Sequence, residues 1–392
     1  MIKLFLLISL VLLYCFLGVT SNGKKLYYWL SVVMLLVREI DVPYLGDVTP
    51  SAVMITMLFV STFVVKGCFF KSWLPYLLCL LLSTIIAYVN SPYFTRAFEW
   101  VYNLFIVMAF ATLPTKLFTS EKDVVILSRV IIIVSFIFSL ATIAAYWGYA
   151  DGTVIIASDD MDDMFHGSRI YGLTGSNLIN CVCVISFVLF FIANFKHKLI
   201  ELVILIVIVY GALITLKRMT FISMGLSLMF YIIMQMNNKK SFKALIVTVV
   251  VITVISIFWE PIMHRFSIAG FGANEIEDHS AESRMFRYGF ALEAFKESPI
   301  IGTGAGNVTY VHNGLLEILA NCGLLGIIFI FLRYLPSYKH IKKLNPWSIA
   351  IAIYLATCFF LESSINHAQI IAFLGVFLGG YYSSIAFEKE KE

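Results

Sequence analysis

The sequence predicts an all-α fold of about twelve to thirteen membrane-spanning helices, forming a single integral membrane domain over residues 1–392. Three observations carry that prediction. The chain is 60% hydrophobic and only 13% charged, against roughly 25% charged in an average soluble domain, so too few charges remain to cover a water-facing surface. Mean hydropathy is +0.90. The apolar residues come in runs of about 16–24, the length of helical spans, whereas membrane barrels use alternating segments of about ten residues. The same composition excludes nucleic-acid binding, because the net charge of +4 includes no basic stretch outside short loops. Seven cysteines, an odd number, sit in apolar runs or an inner loop, which argues against a disulfide framework.

In chain order the runs lie at 2–20, 26–40, 48–65, 73–89, 98–114, 124–147, 176–194, 198–214, 219–236, 243–259, 314–333, 347–361 and 368–386. The first reads as a span rather than a cleaved leader, because no A-x-A-like site follows it and a second apolar run comes at once. The second is the weakest, with twelve clean apolar residues before Arg38, and is expected to be short, tilted or partly re-entrant. Orientation follows from the Lys/Arg bias of the loops. Alternating loops place seventeen cations on one side and ten on the other, with Arg129 inside a span, and 18 of 24 acids on the side poor in cations. The cation-rich side is therefore cytoplasmic and holds the C-terminus. The N-terminus comes out external on the strength of the second span. Two long outer loops remain, 148–175 with its Asp159-Asp160-Met161-Asp162-Asp163 run, and 260–313. Long loops concentrate function, so the chemistry is expected on the outer face.

Seven of the ten outer cations are arginines, at 38, 96, 169, 218, 265, 284 and 287, while Arg333 is the single arginine among the inner seventeen. Arginine offers a planar fork of donors that suits phosphate. As a set these residues suggest an anion site at the outer boundary; singly, each could equally pair with an outer acid or reach to lipid headgroups. Residues 280–298 read as a helix, with Ser280 as N-cap and Pro299 as stop. Arg284 and Arg287 share one face of it, Tyr288 can pack on the Arg284 guanidinium, and Met285, Leu292 and Phe295 form an apolar stripe suited to the membrane surface. The loop is acidic overall, so any anion site in it must be local. In the turn 299–307, Gly302, Gly304 and Gly306 alternate. Such a turn either presents backbone N–H groups to phosphate or sugar oxygens or simply joins two helices tightly; it lacks the Gly-Lys-Ser/Thr of a nucleotide loop. His312 and Asn313 stand at the outer end of the eleventh span. An imidazole there can take a proton near neutral pH or serve as a structural hydrogen-bonding group. Glu317 and Asn321 are polar inside that span, and Gly323 and Gly326 suit close helix packing. No histidine pair has metal-ligand spacing, so neither metal nor cofactor is expected.

Residues 284–326 resemble the signature region of the O-antigen polymerase / O-antigen ligase superfamily, bacterial polytopic membrane glycosyltransferases. The likeness rests on Ser283-Arg284, on Glu297-Ser298-Pro299 running into the glycine turn, on His312-Asn313-Gly314-Leu315-Leu316-Glu317, and on Cys322-Gly323-Leu324-Leu325-Gly326. Two shorter pieces are similar to the family upstream: Arg169-Ile170-Tyr171-Gly172 through Asn177, and Leu216-Lys217-Arg218, with Lys217 where serine is usual. The resemblance implies a GT-C-like helical fold in the bacterial plasma (inner) membrane, and a metal-independent transfer at its external face. Its donor would be an undecaprenyl-pyrophosphate-linked oligosaccharide. It further implies His312, Arg284, Arg218 and Arg169 as catalytic residues. Arg287, Tyr288, Gly302, Gly304, Gly306, Asn313 and Asn177 would bind substrate. Membrane lipids, a chain-length regulator and a flippase are the implied partners. The expected activity is polymerisation of lipid-linked repeat units (O-antigen, capsule or exopolysaccharide). A ligase passing glycan to a lipid or protein acceptor is the nearest alternative. A flippase or a chain-length scaffold fits less well, because no internal repeat or mid-membrane charged path is apparent.

Overall fold

The structure is a computed structural model and describes residues 2–37, 40–42, 46–64, 73–90, 94–147, 178–215, 217–237, 249, 253, 256, 279–362 and 364–390. The fold is helical: α1 (Ile2–Leu17), α2 (Ser21–Val33), α3 (Pro50–Phe59), α4 (Leu74–Asn90), α5 (Phe94–Thr112), α6 (Glu121–Tyr146), α7 (Leu178–Ile185), α8 (Lys198–Leu213), α9 (Arg218–Asn237), α10 (His279–Glu297), α11 (Gly314–Phe329), α12 (Pro346–Tyr354) and α13 (Ala368–Lys389). Every expected run holds one of these helices except 243–259, nearly all of which lies outside the described residues. Four helices are long and apolar enough to cross a membrane, at Thr95–Leu117, Glu121–Tyr146, Met219–Met236 and Ala368–Lys389; a fifth crossing forms if Gly314–Phe329 and Phe331–Lys342, bent by 55°, make one span. The other runs are shorter as helices. Pro50–Phe59 passes into a π turn at Val60–Val64, and Pro346–Tyr354 into another at Leu355–Phe359.

The second run departs most from expectation. Its helix begins earlier, at Ser21 behind a Thr20 N-cap, and stops at Val33 after 13 residues. At 1.5 Å per residue that is about 20 Å, short of a hydrocarbon core of about 30 Å. A 3-10 turn follows, then an antiparallel hairpin of Ile40–Val42 with Gly46–Val48, the one β element among the described residues. Lys25, expected in a cytoplasmic loop, is instead buried in α2, where its Nζ donates to Asp123 Oδ2 at 2.8 Å and to Thr119 Oγ1 at 2.7 Å. Asp123 also accepts from the backbone N–H groups of Thr119 and Ser120, so one carboxylate both caps α6 and ties it to α2.

The core centres on α13, buried nearly throughout Gln369–Tyr381 and packed along α5. Gly375 and Gly379 permit that approach: a Cβ at either would lie 2.7 Å from the Val107 carbonyl oxygen or 2.6 Å from that of Phe110.

The feature that positions the outer face is a break in α11. Gly323 takes φ 61° and ψ −155°, non-helical values inside a helix. Breaking a helix orphans backbone groups on both sides, and here the 299–304 segment satisfies them. Thr303 and Gly304 donate to the Ala320 and Asn321 carbonyls at 2.9 and 3.1 Å, while Leu324 and Leu325 donate to Pro299 and Ile300 at 2.9 and 3.1 Å. The glycine turn is spliced into the helix. Gly323, expected to serve close helix packing, is the breakpoint that admits the turn.

Candidate active site

Two antiparallel neighbours frame the site. α10 lies against α11 along a seam of Ala291, Ala294, Val308, Val311 and Ala320, with Tyr288 and Leu316 beside it. Small alanines let the helices approach, and the seam brings the first half of α10 to His312. The helix spans His279–Glu297, so Ser280 lies within it rather than capping it, and it ends before Pro299 as expected.

His312 precedes α11 and has a positive φ of 57°; Tyr310 has 56°. For side chains with a Cβ such values cost about 1–3 kcal/mol each and persist only where surrounding contacts over-determine them. Those contacts are visible. The Val311 N–H donates to Glu317 Oε1 at 2.8 Å, and Arg287 Nη1 donates to the Tyr310 carbonyl at 2.8 Å. Asn313 accepts from the Leu316 N–H at 3.0 Å as the N-cap of α11. Tyr288 Oη donates to the His312 carbonyl at 3.4 Å, a different role from the expected stacking on Arg284. Buried Glu317 also accepts two bonds from Asn366 Nδ2, at 3.0 and 3.2 Å, which ties this corner to the loop between α12 and α13.

That loop supplies the centre of the site. Glu362 is 4% exposed. Its Oε2 lies 2.9 Å from His312 Nδ1, and its Oε1 lies 3.4 Å from Lys217 Nζ and 3.5 Å from Arg284 Nη2. A buried carboxylate is tolerable only with such partners. Burial pushes its pKa up, but the His312 hydrogen bond and the Lys217 and Arg284 charges outweigh it and hold the acid at about 2. Glu362 is therefore ionised throughout the working range. An ionised carboxylate only accepts and a guanidinium only donates. With Glu362 on Nδ1 and Arg287 Nη1 3.4 Å from Nε2, His312 carries its proton on Nδ1 and keeps the Nε2 lone pair. His367 is held neutral nearby: burial first, then Lys217 and His312, push it down to about 4 against the opposing pull of Glu362.

Lys217, Arg284 and Arg287 set against Glu362 leave a local excess of two positive charges. The anion site expected of this acidic loop is thus local. Arg284 and His312 are its accessible members, with side chains 38% and 31% exposed, above the buried Glu362 and Lys217. Arg284 gives Glu362 a single Nη2 contact, so most of its fork remains for a ligand.

The remaining expected residues fall elsewhere. Arg169 and Asn177 lie outside the described residues. The backbone of Arg218 opens α9, but its side chain lies outside the description. The glycine turn does not present its amides outward. The N–H groups of Gly302, Thr303, Gly304 and Ala305 donate to Ser298, Ala320, Asn321 and Ser83 carbonyls. Gly302, Gly304 and Gly306 are needed for positive φ and close approach; a Cβ on Gly304 would lie 2.5 Å from the Ala87 nitrogen. Asn321 completes the clamp, exchanging hydrogen bonds with both the N–H and the carbonyl of Val308. Sequence reasoning missed Glu362 altogether and treated Lys217 as a departure from a motif. The available signal was the polar run Glu362-Ser363-Ser364-Ile365-Asn366-His367 between two apolar spans.

Residues 202–331 match the family model described as O-Antigen ligase, about a third of the chain. The resemblance to the O-antigen ligase and polymerase superfamily is thereby shown. The match takes in Lys217, Arg284, Arg287 and His312 and ends before Glu362. No curated protein and no solved structure matches the chain.

Proposed function

We propose that the protein is a polysaccharide polymerase that moves glycan from a polyprenyl pyrophosphate onto the nonreducing-end sugar of another lipid-linked repeat unit. The observation that carries this reading is the Glu362–His312 pair embedded among Lys217, Arg284 and Arg287. The acceptor hydroxyl attacks the anomeric carbon as the bond to the pyrophosphate oxygen breaks. His312 Nε2 takes the hydroxyl proton, and the imidazolium so formed is stabilised by Glu362, as in other carboxylate–histidine pairs. The electron pair leaves with the lipid pyrophosphate, whose charge Arg284 and Arg287 meet. Charges placed beforehand where an anion develops are commonly the largest catalytic term. They do here what a divalent cation does in other transferases, so no metal is required. Attack from the face opposite the leaving group inverts the anomeric centre.

The site would lie at the external face of the bacterial inner membrane, with the C-terminus cytoplasmic. A flippase delivering the donor and a chain-length regulator are its natural partners. The matched family description favours one other reading, a ligase that passes finished glycan to a different acceptor. Purified protein with synthetic lipid-linked repeat units, resolved by gel, separates the two. A ladder of products is expected; a single transfer onto a lipid or protein acceptor would establish the ligase, and neither would refute the transferase.

A further inference from the structure

A second concavity lies farther along α10. It is a cavity of about 210 Å³ lined by Phe290, Glu293, Ala294 and Glu297 from α10 and by Thr303, Asn307 and Val308 from the spliced turn. At about 1.5 Å per residue, Glu293 sits about 9 Å along the helix from Arg287, on the glycan side of the charge cluster. The volume is below the about 300–1,000 Å³ of sites for drug-sized ligands, which suits one ring better than an extended oligosaccharide.

Its lining is odd for a helix end. Glu293 and Glu297 are four apart, so two like charges share a face. They also occupy the C-terminal end of α10, where the helix dipole disfavours negative charge. Among the described residues, no ion pair compensates either one. Phe290, one turn before Glu293, leaves its ring 54% exposed beside them. Across the cavity, Asn307 Nδ2 is committed to the Thr303 carbonyl at 2.6 Å and the Thr303 hydroxyl to the Ala320 carbonyl at 3.1 Å, so their side-chain oxygens are the acceptors held toward the space. The cavity thus combines an apolar ring, two carboxylates and fixed acceptor oxygens, and lacks a cation.

We propose that this cavity is a sugar subsite that takes one uncharged pyranose ring of the glycan, its apolar face on Phe290 and its hydroxyls donating to Glu293 and Glu297. This rests on the transferase reading above and deepens it, since the carboxylate pair would discriminate against acidic sugars at that position of the repeat unit. Glu293 and Glu297 bind here; they take no part in the chemical step.

The test is saturation-transfer NMR on the full chain in nanodiscs, with methyl galactoside, methyl glucoside and methyl N-acetylglucosaminide as neutral probes and methyl galacturonide as the charged one. At least one neutral glycoside should receive saturation. The signal should vanish in Phe290→Ala and fall several-fold in the isosteric pair Glu293→Gln/Glu297→Gln, while His312→Ala keeps it. Galacturonide should bind roughly two- to fivefold more weakly than galactoside, and the double glutamine variant should close that gap. Absence of transfer from every neutral glycoside, or transfer unchanged in both variants, would overturn the subsite. So would calcium binding to the carboxylates with no sugar signal. Failure of the function reads out separately: sugar binding without any gel-detected transfer would refute the transferase and leave the subsite standing.

Discussion

Two stretches of chain meet at His312, and they reach it by different routes. Residues 284–326 form a continuous block whose parts are fixed by near neighbours: α10, the spliced turn, the Asn313 cap and the broken α11. Residues 360–367 lie in a short loop between α12 and α13, with no motif, outside the matched region, and fifty positions from His312 in the chain. The first stretch presents the groups that would face substrate. The second supplies the carboxylate that sets their protonation and pairs their charge. Catalytic side chains can therefore be read locally, while the group that balances them is found only once the chain has folded.

The largest expected effect breaks the first stretch. His312→Ala removes the base and should cost about 10²–10⁴-fold in transfer rate. Arg284 and Arg287 are untouched, so binding of the lipid pyrophosphate donor should survive. Titrating purified variant with labelled donor, alongside the gel assay, separates the two quantities. Near-normal polymerisation by a stable alanine variant would remove His312 from the mechanism.

Breaking the second stretch should cost almost as much, for another reason. Glu362→Gln is isosteric, yet an amide can donate to Nδ1 and no longer stabilises the imidazolium. Activity should fall about a hundredfold or more. The variant should also be less stable by about 3 kcal/mol, because Lys217 keeps a buried charge without its partner. Adding Lys217→Met to Glu362→Gln should restore much of that stability and none of the activity, read as melting temperature against rate in a double-mutant cycle. If the second substitution also restores rate, Glu362 acts through stability alone.

The contrast also marks what the sequence could reveal. The helices were visible because apolar runs of span length have few other uses, and the Asn313–His312 corner was visible because polar groups at a span's end need a reason. Helix lengths were less visible. The π turns at Val60–Val64 and Leu355–Phe359 and the break at Gly323 leave the apolar run intact while interrupting the helix. The hairpin at 40–48 escaped because three-residue strands carry too little alternation to register. At the site, the three glycines were noticed for their amides, but those amides are consumed in the splice, where carbonyls orphaned by Gly323 take them. Glu362 and Lys217 were passed over because their meaning is a distance of 3.4 Å between chain positions far apart.

A smaller effect sharpens the role of the arginines. Arg284 touches Glu362 with one nitrogen, and its remaining donors would take a pyrophosphate oxygen pair. Lysine keeps the charge and loses the fork. Arg284→Lys should therefore cost about ten- to a hundredfold in transfer with little change in melting temperature, since a side chain 38% exposed contributes little to folding through an ion pair. Full activity of the lysine variant would reduce Arg284 to a counter-charge for Glu362.

The smallest effect concerns His367, beside the second stretch. Its pKa is lowered from 6.5 to about 4, chiefly by burial and then by Lys217 and His312. Between those two values the unfolded chain takes up a proton that the folded chain refuses, so stability should fall as pH drops from about 6.5 to about 4 and be level above that window. Glu362 acts in the same direction at lower pH. Its folded value of about 2 against 4.5 makes its contribution present above 4.5 and lost as pH falls toward 2. The interval from 6.5 to 4.5 is therefore where His367 can be read with least interference. One pKa unit is about 1.4 kcal/mol, so His367 accounts for about 3 kcal/mol at most by pH 4 and about 2 kcal/mol at pH 5. His367→Gln keeps a polar side chain and cannot titrate. Its melting temperature between pH 7 and pH 5 should be nearly flat, where that of the unsubstituted protein falls by several degrees. Parallel slopes would show that the acid sensitivity of this corner arises from other groups, and that the cations around Glu362 do not suppress protonation of the neighbouring imidazole.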